Sequence, residues 1–473
     1  MKNYFKRILF SVVLSAVLFS CSSAPVIPVE RLDSLLNKAI SMNLFSGNIL
    51  IADDKVIAYE KSFGKADYEK NIANTSETKF QLASITKDFT KVMILQLIEQ
   101  HKLSATDNIG KYLPGFSDEV NQVTVQQLLN FTSGLGDYHN TQDFEQLQGS
   151  TITIPDIIPI IQKEKLQFKP GSQFFYSNSG YVVLAALIEK ITNRNYYQDL
   201  EEMILEKLNM NNTSFNGYAK PMPGIATGYL TNQIGPLQNN SEWHLAGAGD
   251  AGIYTTTHDL LAFITSVFYD NKLLTDSSKL KYVSEMMRES KIKTWNDFQK
   301  NGRYSPAGGA PGVSTMFTVN MQTGNIAIIL SNYDEGTAEE IGIRISAILN
   351  NKPVQPLKEP APKYLFNLIK TKGGKYFEEN YKQEIKNSGM REKDDMMLLN
   401  AGQALLQEKD YDNAISLYRV YTKEFPKIII AWNDMGEAYL DKGDKENALK
   451  CFEQALKIMP DNKRAKNNLE HLK

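Results

Sequence analysis

Apolar positions along the first 350 residues change their period in a definite order. Segments 45–51 (Phe-Ser-Gly-Asn-Ile-Leu-Ile) and 56–59 (Val-Ile-Ala-Tyr), parted by Asp53-Asp54, read as the two strands of a hairpin. Helical spacing then dominates, as in 180–192. The run Phe89, Val92, Met93, Leu95, Leu97, Ile98 is apolar on nearly all faces and so predicts a buried helix. Strand patterning returns at 315–320 and 326–331 around a turn at Thr323-Gly324, and 339–350 reads as a closing helix. Strands, inserted helices and strands again predict an α+β class: an antiparallel sheet covered by helices, with a helical subdomain.

Beyond residue 350 the pattern changes. Prolines at 353, 356, 360 and 362 mark 351–363 as an extended linker. After it, Gly402, Ala414 and Pro426 recur as Gly436, Ala448 and Pro460, each 34 residues on, with Trp432, Tyr439, Phe452 and Ala455 completing the second unit. This is the tetratricopeptide pattern, in which small residues let two antiparallel helices approach. The units span about 395–428 and 429–462 within a helical domain 364–473; 364–386 reads as a degenerate helix pair and 462–473 as a capping helix. Two units are fewer than such an array needs to stand alone, so it is expected to dock on the preceding domain. It serves either as a structural extension or as a concave surface for a protein or peptide partner.

At the other end, Lys2, Lys6 and Arg7 precede an apolar run, 8–19, too short for a membrane span and shaped like a secretory leader, 1–20. Leu18-Phe19-Ser20-Cys21 resembles a bacterial lipoprotein cleavage site, which makes Cys21 the expected lipidation point and 21–29 a tether. The expected location is therefore the cell envelope, on a periplasm-facing membrane. Cys451, the other of two cysteines, falls in a helical pattern, so no disulfide framework is available. Formal charge is −2, and removal of the leader leaves 49 cations against 54 acids; neither balance suits a nucleic-acid partner. The five histidines contain no metal-ligand pair, and no Walker loop or zinc signature is present, so neither metal nor cofactor is expected.

Candidate chemistry lies in three motifs in order: Ser84-Ile85-Thr86-Lys87, Tyr176-Ser177-Asn178, and Gly308-Gly309-Ala310-Pro311-Gly312. The chain has five Ser-x-x-Lys and four Tyr-x-Asn matches, so context must choose. Ser84 alone follows a strand-like stretch, 79–83, and opens the buried helix. Lys87 then lies one turn on, on the same side. A serine hydroxyl is a poor nucleophile until a base takes its proton. Lysine can serve when desolvation and a neighbouring cation or phenol favour its neutral form. Tyr176 is the natural second member, and Asn178 is expected to bond Lys87 and the substrate. A Ser-His-Asp triad is the competing arrangement.

These motifs, with 80–87, 128–135, Pro170-Gly171, 249–256 and Pro311-Gly312, resemble the serine β-lactamase and penicillin-binding-protein superfamily, in its class C-like branch of β-lactamases, peptidases and esterases. The resemblance spans about residues 30–350. It implies Ser84 as acylated nucleophile, Lys87 and Tyr176 as base and acid, and Asn178, Gly308 and Gly309 as substrate contacts. The backbone N–H groups of Ser84 and Gly309 would form the oxyanion hole, with the site at the junction of sheet and helical subdomain.

Two positions depart from the pattern. Pro306-Ala307-Gly308 stands where the family usually has His-x-Gly or Lys-Thr-Gly, so a cation for a substrate carboxylate is missing. Lys300-Asn301-Gly302 could be a displaced version, but Asn-Gly reads as a hairpin turn. Phe131 replaces a frequent histidine at a position that reads as structural. The expected function is an envelope-anchored serine hydrolase of amides or esters (a D-amino-acid peptide, an ester or a β-lactam). The competing reading is an inactive receptor-like scaffold that recruits partners through its repeats.

Overall fold

Ile49, Leu50 and Ile51 are successive residues of one strand, so their side chains leave opposite faces of the sheet. All three are fully buried, which requires cover on both sides. The computed structural model describes residues 27–147, 152–215, 223–231, 234, 237–240, 247–284, 292–388 and 396–472. The leader-like segment 1–20 and Cys21 lie outside the described residues.

The main sheet contains β1 (Gly47–Asp53), β2 (Val56–Phe63), β3 (Arg303–Tyr304), β4 (Ala307–Ala310), β5 (Val313–Asn320) and β6 (Asn325–Ser331). Its order is β3-β5-β6-β1-β2, with β4 also pairing β5, and every pairing is antiparallel. One face, carrying Ile49, Ile51, Ala327 and Ile329, packs under α1 (Val29–Ser41) and α5 (Thr337–Leu349). The other, carrying Leu50, Ala52, Ile326, Ile328 and Leu330, joins the large core built with α2 (Thr86–Glu99), α3 (Asn178–Thr192) and α4 (Thr257–Phe268). The α+β architecture and both hairpins agree with the sequence pattern.

Helix α2 is buried continuously from Thr86 to Leu97. Its polar residues therefore need internal partners. Asp88 accepts from the hydroxyls of Tyr282 and Tyr304, Thr90 donates to the Gly249 carbonyl, and Gln96 donates to the Leu273 carbonyl.

In the C-terminal part, α6 (Ala361–Lys372), α7 (Gly374–Ser388), α8 (Met396–Gln407), α9 (Tyr411–Glu424), α10 (Ile429–Asp441), α11 (Lys445–Ile458) and α12 (Lys463–Leu472) share one core. A Cβ on Gly402 would stand 2.6 Å from the Tyr418 ring, and one on Gly436 would stand 2.7 Å from Phe452. The 34-residue spacing thus records two equivalent close approaches between helices. Cys451 is buried in α11, and burial pushes its thiol up to about 11.

Two expectations need correction. Helix α6 starts at Ala361, inside the stretch read as linker, because Pro360 and Pro362 occupy the cap and first turn, where a missing N–H costs nothing. Asn301-Gly302 is no hairpin turn: Asn301 ends the helix Trp295–Asn301, and Gly302 leads extended into β3.

The helical part meets the sheet domain through the linker and through Ile234, which packs on the repeat core. Buried Arg344 on α5 donates to the carbonyls of Gln355 and Pro356, while Val354 and Leu357 pack beneath α1 and α5. Arg344→Ala is expected to leave these carbonyls unmatched and lower stability by about 1–3 kcal/mol. Urea unfolding measures the loss, and protease cutting within 352–360 should accelerate.

Candidate active site

The chain reaches Ser84 through a forced bend. Phe80–Gln81 pairs with Ile253–Thr255, and the Leu82 N–H donates to the Ile253 carbonyl at 2.8 Å. Ala83 then adopts φ +45°, a left-handed conformation unfavourable for a residue with a Cβ. A single 3₁₀ turn, Ala83–Ile85, feeds α2. The Thr315 hydroxyl donates to the Leu82 carbonyl at 2.9 Å and ties this turn to β5. Ser84 thus sits where strand, turn and buried helix meet.

Lys87 lies one helical turn on, 5 % exposed. Its Nζ donates to Ser84 Oγ at 3.1 Å and to the Asp250 backbone carbonyl at 2.9 Å. Tyr176 comes from the loop before α3, and its hydroxyl donates to Ser84 Oγ at 2.7 Å. The Lys87 ammonium also stands 5.1 Å from the Tyr176 ring centroid. Ser177 caps α3 by accepting from the Gly180 N–H and anchors the loop by donating to the Gly136 carbonyl at 2.6 Å.

Asn178, the first residue of α3, donates to Asp137 Oδ2 at 2.7 Å. The bond expected between Asn178 and Lys87 is replaced: the loop after Gly136 brings a carboxylate to the asparagine, and a main-chain carbonyl holds the lysine. Asp250 itself is fully buried, with Oδ2 accepting from the Tyr138 hydroxyl at 2.9 Å and lying 3.6 Å from His139 Nε2. Burial pushes this carboxyl up, but His139, the Lys87 charge and Tyr138 together hold it below its ordinary range. The Tyr138 phenol is raised by burial first and by Asp250 second.

Asp137, His139, Asp250 and Glu335 were not assigned from the sequence. The Gly249-Asp250 stretch was among the matching segments, and that was the only signal for any of them. His139 does not complete a triad, since the hydrogen bonds of Ser84 Oγ run to Lys87 and Tyr176. No cluster of metal-ligating side chains occurs among the described residues.

Two cavities flank Ser84. One, about 230 Å³, is lined by His139, Asn178, Asp250, Gly309 and Glu335. The other, about 250 Å³, is walled by Phe131, Phe174, Tyr176, Tyr181, Pro306 and Ala307, with Lys87 and Lys91 at its base. Phe131 is buried in the main core, as a structural residue would be, and it also borders the site and stacks on Tyr176 at 4.8 Å. Gly308 is required by close approach: a Cβ there would lie 2.3 Å from the Leu82 carbonyl and 2.9 Å from the Ser84 nitrogen. At Gly309 a Cβ would instead meet the Glu335 side chain at 2.2 Å.

An antiparallel sheet with a helical subdomain, bearing a serine bonded to lysine and tyrosine at their junction, defines a class of serine hydrolase. The chain belongs to the Beta-lactamase family, whose model matches residues 41–349. Tetratricopeptide-repeat models match 397–427 and 429–462. The chain is 29 % identical over 358 residues to penicillin-binding protein 4* of Bacillus subtilis (strain 168), covering 71 % of this chain and 79 % of that protein. It is 28 % identical over 272 residues to teichoic acid D-alanine hydrolase of Staphylococcus aureus, covering 57 % and 65 %. Among solved structures it resembles the D-amino acid amidase of Ochrobactrum anthropi SV3 complexed with D-phenylalanine. That match has a TM-score of 0.58 at 18 % identity, over 68 % of this chain and 99 % of the other.

The two glycines of β4 are expected to differ in tolerance. Gly308→Ala drives a methyl into backbone and should cost about 1–3 kcal/mol, together with most ester turnover. Gly309→Ala meets a side chain that can rotate and should cost less. Thermal denaturation and turnover of the two variants, measured side by side, check the order.

Proposed function

We propose that this protein hydrolyses an ester or amide of a D-amino-acid type through an acyl-Ser84 intermediate. The observation that carries the reading is the pair of hydrogen bonds converging on Ser84 Oγ, from Lys87 Nζ at 3.1 Å and Tyr176 OH at 2.7 Å. Lys87, as the neutral amine, takes the proton as Ser84 Oγ attacks the carbonyl carbon, and then passes a proton on to Tyr176. Tyr176 relays a proton to the leaving oxygen or nitrogen, and that bond breaks. Water, deprotonated by the same pair, then hydrolyses the acyl ester and releases the acid. The N–H groups of Ser84 and Gly309 act as donors to the oxyanion; their place on one cavity wall supports this. Asn178, with Asp137 behind it, contacts the acyl portion, and Gly308 lets β4 approach.

The substrate class draws on the names of relatives, a teichoic acid D-alanine hydrolase and a D-amino acid amidase. Pro306 on the wall beside Tyr176 weighs against substrates held there by a carboxylate. In this reading the protein is exported and anchored in the envelope through a lipid on Cys21, with the repeats available to a protein or peptide partner.

Turnover of p-nitrophenyl acetate by the full chain in mild detergent tests the core of the proposal. Ser84→Ala should abolish it, and Tyr176→Phe should lower kcat by about 10²–10⁴. Equal turnover by Ser84→Ala and the unaltered protein would remove Ser84 from the reaction. For the anchor, Cys21→Ala should end incorporation of labelled fatty acid in producing cells and free the protein from the membrane fraction.

A further inference from the structure

The cavity beside Tyr176 differs in kind from the one beside Asn178. Its walls are aromatic: Phe131 stacks on Tyr176 at 4.8 Å, meets Phe174 edge-on at 5.8 Å, and lies 5.1 Å from Tyr181. At its mouth Phe174, Phe175 and Tyr176 are successive residues exposed to 54, 41 and 42 %. Contiguous exposed aromatics are uncommon on a soluble surface unless something binds there.

The backbone holds these walls in place at some cost. Phe131 has φ +54°, a conformation rare for a bulky side chain, and its carbonyl accepts from the Phe175 N–H at 2.9 Å. Ala83, before the nucleophile, is strained in the same sense. Among the described residues, Phe131 takes this conformation two residues past the helix Val125–Leu129, as His101 does past α2 and Lys409 past α8, while Lys55 does so in a hairpin turn.

The charges at the base of this cavity are already engaged. Asp88 accepts from Tyr282 and Tyr304. Lys91 is 3 % exposed, donates to the Tyr282 carbonyl at 3.4 Å, and stands 5.0 Å from the Tyr282 ring centroid. Pro306 and Ala307 supply no side-chain donor, and the neighbouring Ser305 supplies an uncharged hydroxyl. An apolar cavity of about 150 Å³ holds a benzene ring; this one, at about 250 Å³, has room for a fused or substituted ring.

We propose that this cavity receives the leaving group, that the leaving group is uncharged and aromatic or bulky aliphatic, and that Phe131 and Phe174 determine this specificity. The inference rests on the proposed role of Tyr176: a phenol that protonates the leaving atom from 2.7 Å beside Ser84 Oγ puts the departing group on its own side of the serine. The acyl part then faces His139, Asn178 and Glu335.

Acetate esters of one acyl group and different alcohols test this, because they form the same acyl-enzyme and differ only in what leaves. With the full chain in mild detergent, kcat/KM is measured for 2-naphthyl, phenyl, 3-carboxyphenyl and methyl acetate, each normalised to its hydroxide-catalysed rate. Phenyl should exceed 3-carboxyphenyl by about tenfold or more, since a buried, unpaired carboxylate is strongly disfavoured, and 2-naphthyl should equal or exceed phenyl. Phe174→Ala, at an exposed position, should lower the 2-naphthyl-to-methyl ratio by about tenfold. Phe131→Leu, which nearly preserves volume, should lower it by a smaller factor.

A preference for 3-carboxyphenyl acetate, lost in Lys91→Met, would overturn the proposal and make Lys91 a carboxylate anchor. A ratio untouched by both phenylalanine variants would overturn it as well. Turnover that depends on Ser84 but ignores the leaving group sinks this inference alone. Turnover that survives Ser84→Ala sinks the reading beneath it.

Discussion

A single ammonium group organises the centre of this molecule. Lys87 lies on a helix buried on every side, and the two oxygens its Nζ bonds are fixed by other elements. One belongs to Ser84 on the turn before the helix, the other to the main chain at Asp250, far along the sequence. Sheet, turn and helical subdomain must all be in register for these two oxygens to converge. Catalytic geometry and folding are therefore one constraint here: a shift of an ångström at the sheet edge would separate the serine from its base.

The same helix shows how polarity is distributed to serve that constraint. Asp88 and Lys91 reach the base of the aromatic cavity but are engaged there by tyrosine hydroxyls and a backbone carbonyl, and the deeper Thr90 and Gln96 also donate to backbone carbonyls. The strand that completes the site, β4, lies against the Ser84 turn so closely that only hydrogen fits at Gly308. On one flank of the serine the surface is polar and acidic, on the other aromatic. A substrate is thus sorted by two unlike surfaces that share a single reactive atom.

Much of this was legible in the chain because it is local. Three residues on a helix put Lys87 beside Ser84, period-two patterning marked both hairpins, and a 34-residue spacing marked the paired repeat helices. The contacts that escaped are those joining distant segments. Nothing near Asn178 announces Asp137 as its partner, since the two meet only through the fold of the intervening loop. His139 and Asp250 become neighbours in the same way. Phe131 reads as structural and is buried in the core, but a ring in a motif gives no hint that it also walls a cavity. Asn301-Gly302 misled because a favoured turn dipeptide can equally end a helix, and the preceding Trp295–Asn301 segment decided which. The early start of α6 was hidden by prolines that signal a linker in general but are compatible with a first helical turn.

The acceptor that holds Lys87 is a carbonyl of the main chain, not a side chain. Every amino acid supplies that oxygen, so no replacement at position 250 removes it; a replacement acts only by displacing it. The hydrogen bond itself therefore does not depend on which side chain stands at position 250, although the Asp250 carboxylate adds its charge beside the lysine. A scaffold wired in this way can change what it cleaves without renegotiating how it cleaves.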